Sequence, residues 1–225
     1  MTIGDNLRRV KERIAMAAWR AGRDPAGVQL VVVSKGRTVE EIEEVLAAGH
    51  RVLGENRAQE LRQKMPALPE DVEWHFIGHL QTNKVNMVVG KVRLIHSIDS
   101  LRLAEAVSSR ACRMGTVQEV LLEVNVSGEA NKFGVAPEEA EELVEKMLEL
   151  PGLRVRGLMT MAPAWAAGEE ARPYFRRLRE LRDDIKRVFP EAALDSLSMG
   201  MTQDYEVAVE EGADLVRVGT AVFSG

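Results

Sequence analysis

A chain of 225 residues, 45% hydrophobic and 29% charged, has the composition of an ordinary globular protein and the length of one α/β barrel, which excludes a disordered or fibrous chain. Its formal net charge of −5 argues against a nucleic-acid footprint, and its single cysteine, Cys112, excludes an intrachain disulfide framework. No apolar run approaches the ~20 residues of a membrane span, and the charged stretch from Asp5 to Arg13 is unlike a secretory signal, so a cytoplasmic protein is expected.

Residues 3–21 read as an amphipathic helix, with Ile3, Leu7, Val10, Ile14 and Ala17 at helical spacing, stopped by Gly22 and Pro25. The run Gln29–Val33 is almost wholly apolar and rich in β-branched valine, which fits a strand covered on both faces. It leads into Ser34, Lys35 and Gly36. Thr38 and Glu41 form a capping box that opens a helix through Ala48. A second strand, 51–54, delivers Glu55 and Asn56, and a helix follows to about Met65. The third strand is 73–77 and the fourth 92–96, with Asp99 or Ser100 capping a helix to about Met114. The fifth strand, 117–124, runs into a long polar loop over 125–134, of the kind that is functional or mobile. Pro137 begins a helix to Leu150, strand six is 153–160, and 164–170 reads as a mobile loop. An Arg-rich helix covers 171–189, strand seven 194–198, a helix 204–211, and strand eight 215–218.

Eight strands alternating with helices argue for a parallel sheet closed into a (β/α)8 barrel, a single domain over residues 1–225, with the N-terminal helix filling the slot after strand eight. An open doubly wound sheet is the alternative, but no G-x-G-x-x-G follows any strand.

In such a barrel the strand carboxyl ends build the site, and phosphate is commonly held after strands seven and eight. Ser198-Met199-Gly200-Met201-Thr202 and Gly219-Thr220 stand at those two places, each joining glycine to hydroxyls. The same residue types also make ordinary βα turns. Lys35 sits at the end of strand one, where desolvation can free an amine for attack on an aldehyde; otherwise it snorkels to water. Strand parity aligns Val31, Val33 and Lys35 on one face, and Leu215, Arg217 and Gly219 on one face. If both faces are inward, a lysine and an arginine enter one cavity, and the buried arginine needs a ligand atom or a carboxylate as partner. His50, His75, His79 and His96 carry no metal-site spacing, and each reads as a structural histidine.

Taken together, Val33-Ser34-Lys35, Gly54-Glu55-Asn56, His75-Phe76-Ile77-Gly78, Leu80-Gln81, Asn83-Lys84, Ser198-Met199-Gly200-Met201 with Asp204, and Val216-Arg217-Val218-Gly219-Thr220 resemble the pyridoxal phosphate homeostasis protein family. Asn125 with Glu129, Lys132 and Gly134 also match, and the resemblance runs over nearly the whole chain. It implies the barrel of the alanine racemase N-terminal domain and a cofactor, pyridoxal 5′-phosphate (PLP), held as a Schiff base on Lys35. It further implies phosphate contacts from Ser198, Gly200, Gly219 and Thr220, Asn56 beside the ring, and Arg217 facing the pyridine nitrogen. The turn Gly36-Arg37-Thr38 departs from the Lys-Pro turn common in the family.

Three functions are compatible with a reactive Lys35: a PLP carrier without robust turnover, a racemase-like PLP enzyme, and a cofactor-free aldolase. A racemase needs a second acid–base group opposite the lysine, and the two tyrosines, Tyr174 and Tyr205, are not obviously placed for it. The carrier is the expected function, with apo PLP enzymes as recipients and a monomeric state implied by the resemblance.

Overall fold

The structure is a computed structural model that describes residues 2–224. Eight strands form a closed barrel in sequence order: β1 (Gln29–Val33), β2 (Val52–Glu55), β3 (Glu73–Phe76), β4 (Leu94–Ile98), β5 (Gln118–Glu123), β6 (Leu153–Met159), β7 (Ser196–Ser198) and β8 (Leu215–Val218). All neighbours pair in parallel, and β1 closes on β8 with Val31 opposite Arg217. The expected barrel is therefore the observed one, and the open sheet is excluded.

The helices are α1 (Ile3–Arg20), α2 (Val39–Ala47), α3 (Ala58–Lys64), α4 (Val85–Val88), α5 (Leu101–Arg113), α6 (Ala140–Leu148), α7 (Arg172–Val188), α8 (Tyr205–Glu210) and α9 (Thr220–Phe223). Helices α1 and α2 both open on a capping box, Thr2 with Asp5 and Thr38 with Glu41, which satisfies amides the helix leaves bare. Helix α1 packs against α2, α8 and α9, and Asn6 Nδ2 donates to the Val222 carbonyl at 3.1 Å. It thus covers the slot after β8 together with α9, a single turn too short to be read from periodicity.

Two apolar layers follow from the strand alternation. Val31, Ile77, Leu94, Leu121, Met159 and Leu215 fill the barrel interior, while Val32, Leu53, Phe76, Ile95, Leu122 and Leu158 face the helices. Val31 and Val32 are both fully buried, which is why β1 shows no polar alternation. Each such side chain contributes about 1.5–3 kcal/mol of burial.

Two boundaries differ by two residues from expectation. Strand β4 runs 94–98 instead of 92–96, with an irregular register between Ile95 and Ile98 that leaves Leu94 and His96 facing inward. Strand β7 is shortened to three residues because Leu194 pairs back in a turn with Ala192. Residues 164–170 run into a 3-10 turn at Gly168–Ala171, with Ala166 N bonded to Pro163 O at 2.9 Å and Gly168 N to Gln203 O at 3.1 Å.

Candidate functional site

A cavity of about 380 Å³ opens at the carboxyl ends of the strands. Lys35, Arg37, Thr202, Arg217, Gly219 and Thr220 line it, with Pro163, Ala164 and Ala166 as the facing wall. Three cationic side chains and one carboxylate, Asp204, share its lining, which suits an anionic ligand.

Lys35 lies two residues beyond β1 on the turn closed by Arg37 N to Ser34 O at 3.0 Å. It is exposed, so protein atoms do not supply the desolvation that a strand-end position suggests. Its backbone is nevertheless gripped on both sides. Ser34 Oγ donates to Glu55 Oε2 at 2.8 Å, and Lys64 Nζ donates to Ser34 O at 2.7 Å. Gly36 N donates to Glu60 Oε2 at 2.8 Å. Lys64 joins these groups, reaching Glu55 at 2.8 Å and Glu60 at 2.9 Å while itself buried. Burial pushes the Glu60 carboxyl up, but the Gly36 amide and the Lys64 ammonium together hold it below the usual range. Lys35 thus stands exposed on a turn whose backbone is held on both sides by hydrogen bonds.

Arg217 points inward from β8, as parity requires, and is 4% exposed. Its hydrogen-bond partners among the described residues are uncharged. Nη2 donates to the Thr160 carbonyl at 2.9 Å and Nη1 to Ser198 Oγ. Burial lowers its pKa to about 10, against the opposite pull of Glu123 and Asp204, so the guanidinium stays charged at neutral pH. Two of its five N–H groups are used by these bonds.

The seven expected site residues divide. Lys35, Arg217, Gly219 and Thr220 meet at the cavity. Ser198 is fully buried behind Arg217, its hydroxyl engaged by Arg217 and by His96 Nδ1 at 2.8 Å, and it does not line the cavity. Thr202, four residues further along the same turn, is the hydroxyl residue this turn contributes to the lining, since six residues separate Ser198 from the start of α8. Gly200 shapes that turn from beneath: with φ +94°, a Cβ there would sit 2.5 Å from Ala208 Cβ, and its carbonyl accepts from Arg217 N at 2.9 Å. Asn56 lies off the lining as well. Its Oδ1 is buried and has no hydrogen-bond partner among the described residues, while Gly78 allows the close approach: a Cβ there would be 2.2 Å from Asn56 O.

Sequence reasoning missed Glu123. It shares the inward parity of Leu121 on β5 and is 3% exposed, and burial pushes its carboxyl up to about 7 against the pull of Arg217. The loop over 125–134 spans the rim: Lys132 Nζ reaches Ala162 O at 3.0 Å and Glu129 at 2.6 Å, and Phe133 stacks on His79 at 3.8 Å. Among the described residues no cluster of His, Cys, Asp and Glu could hold a metal, and no helix is long and apolar enough to cross a membrane.

Whether this geometry fits the cofactor implied by the sequence can be tested on the structure. A primary amine at the mouth, a buried guanidinium with unused donors, two threonines beside Gly219, and a buried acceptor at Asn56 that lacks a donor together match an aldehyde-bearing aromatic phosphate. The short helix α9 begins at Thr220 with no side-chain cap at Gly219. The residues fit.

Residues 6–225 match the family model for the alanine racemase N-terminal domain. The pyridoxal phosphate homeostasis protein of Aquifex aeolicus is 51% identical over 224 residues, covering 99% of this chain and 98% of its own. A protein of unknown function from Bifidobacterium adolescentis, 40% identical, superposes with a TM-score of 0.92 over 98% of this chain and 94% of its own. PipY from Synechococcus elongatus, solved with PLP bound, is 34% identical with a TM-score of 0.82, over 96% of this chain and 100% of its own. The chain belongs to the pyridoxal phosphate homeostasis protein family, built on the alanine racemase N-terminal barrel.

Proposed function

We propose that this protein binds PLP in the cavity as a Schiff base on Lys35 and serves cofactor homeostasis, holding PLP and releasing it to apo PLP enzymes, without robust turnover of its own. The observation that carries this reading is the convergence of Lys35, Arg217, Gly219 and Thr220 on one cavity. The PLP-bound relative supports the choice of ligand.

In this reading Lys35 supplies the amine, and the Lys64–Glu55–Glu60 cluster keeps its backbone in place. Thr202, Thr220 and the Gly219 turn take the phosphate, with Arg37 adding charge from the rim. Arg37 is itself set by Glu41 at 3.1 Å and by the Phe223 ring at 4.8 Å. Asn56 stands on the ring side behind the lining, and Arg217 donates toward the ring nitrogen. When bound, the cofactor supplies an aldehyde for the amine and a ring that can act as an electron sink. An always-charged arginine at the nitrogen keeps that nitrogen unprotonated, which weakens the sink and favours storage over carbanion chemistry. Neither tyrosine is among the residues lining the cavity: Tyr205 is buried beside Arg13, and Tyr174 meets Trp165 edge-on at 6.3 Å.

The test is a comparison of handover and turnover. PLP-loaded protein incubated with an apo PLP enzyme should restore that enzyme's activity, while incubation with L-alanine should yield no D-alanine above the PLP-only rate. Rapid D-alanine formation that Lys35→Ala abolishes would replace the carrier by a racemase-like enzyme.

A further inference from the structure

The barrel interior holds a polar chain that the cofactor reading does not use. Glu73 Oε1 meets His75 Nε2 at 3.0 Å, His75 Nδ1 meets His96 Nε2 at 2.9 Å, His96 Nδ1 meets Ser198 Oγ at 2.8 Å, and Ser198 Oγ meets Arg217 Nη1. His75, His96 and Ser198 are 1%, 0% and 0% exposed, so the links from His75 to Ser198 run through the barrel interior. Glu73 lies at the opposite end, where it lines the lower opening of the barrel with Gln29, Arg93, Glu119 and Arg156. The chain therefore reaches from the lower mouth to the cavity that contains Lys35.

Its two ends fix its direction. Arg217 can only donate, so Ser198 Oγ accepts from it. The Glu73 carboxylate can only accept, and the His75 bond holds it below the usual carboxyl range, so His75 Nε2 carries a proton. With one proton on each ring, His75 Nδ1 accepts, His96 Nε2 donates, His96 Nδ1 accepts, and the Ser198 hydroxyl donates. All links then close without a conflict, and each donor polarises the next. Burial, followed by the neighbouring His75 and Arg217, pushes His96 well below the ordinary histidine range, in agreement with a neutral ring.

We propose that Glu73, His75 and His96 are positioning residues that act through Ser198 on Arg217, as a one-way hydrogen-bond relay that aims the guanidinium at the cofactor. The inference rests on the reading of Arg217 as the group facing the PLP ring. Without the relay, the Ser198 hydroxyl is free to rotate, and Arg217 loses one of its two fixed acceptors.

The experiment has two arms on the full-length protein. Imidazole ¹⁵N spectra at neutral pH should show His75 and His96 both protonated on Nε2. A His96 protonated on Nδ1, or a cationic His75, would overturn the relay direction. In the second arm, Glu73→Gln is made at the exposed end, far from the cavity. It should move the His96 ¹⁵N resonances, although His96 does not touch residue 73, and raise the Kd for PLP about threefold or more. His96→Leu should raise that Kd about tenfold, with His96→Gln recovering part of it because an amide keeps one donor and one acceptor. Unmoved His96 resonances with an unchanged Kd in Glu73→Gln would overturn the proposal, even if His96→Leu fails to fold. Failure of the wild-type protein to bind PLP at all would fall on the cofactor reading, and the spectra alone would then decide the relay.

Discussion

Lys35 stands exposed on a turn whose backbone is gripped from behind by buried ions, whereas Arg217 is itself buried and gripped by uncharged groups. The contrast follows from what each cation has to do. In the proposed function the Lys35 amine reacts and keeps its tip free, with rigidity placed in its neighbours, Ser34 and Gly36. A cation that only donates can be fixed directly, and neutral acceptors leave its charge available to a ligand, where a carboxylate partner would cancel it. The two sides of the cavity thus respond differently to substitution.

The largest effect is expected at the ion cluster. Lys64→Met strands the Glu55 carboxylate, which is fully buried, and should lower unfolding free energy in urea by about 3–5 kcal/mol. Adding Glu55→Gln should recover part of the loss, because the uncompensated charge is then gone. Equal stability of Lys64→Met and wild type would show that the cluster does not hold the Lys35 turn.

On the Arg217 side, Glu123 sets a pH dependence. Its folded pKa of about 7 lies above the ordinary 4.5, so its contribution is fully present below pH 4.5 and is lost as pH rises through 7. The expected fall is up to about 3 kcal/mol across that window, and Glu123→Gln should flatten it in urea titrations at stepped pH. An unchanged slope in the variant would assign the dependence elsewhere.

A smaller effect separates charge from geometry. Arg217→Lys keeps the charge but cannot reach Thr160 and Ser198 together as a planar fork does, and should weaken PLP binding about tenfold by equilibrium titration. At the rim, Lys132→Met removes a half-exposed bond across the mouth. It should cost at most about 1 kcal/mol while speeding proteolysis within 125–134.

Much of this was legible in the sequence where a rule is local. The apolar run of β1, the capping box at Thr38 and the parity of Leu215 and Arg217 all depend on neighbours in the chain, and each has its structural counterpart. Parity would also have placed Glu123 inside, had Gln118–Glu123 been read as Glu119, Leu121 and Glu123 against Val120 and Leu122. The rest needs register between strands. His75 and His96 meet because β3 and β4 pair with His75 opposite Leu94, and His96 lies two residues further along β4 on that same inward face. Ser198 and Thr202 belong to one turn, and only the fold reveals which hydroxyl faces the cavity and which supports Arg217.

The most direct measurement is borohydride reduction of the PLP-loaded protein followed by peptide mapping, with Lys35→Ala in parallel. Reduced cofactor is expected on the peptide containing Lys35 and none in the variant, which retains weaker PLP binding through Thr202, Thr220 and Gly219. Equal labelling of Lys35→Ala, or a label confined to another lysine, would contradict it.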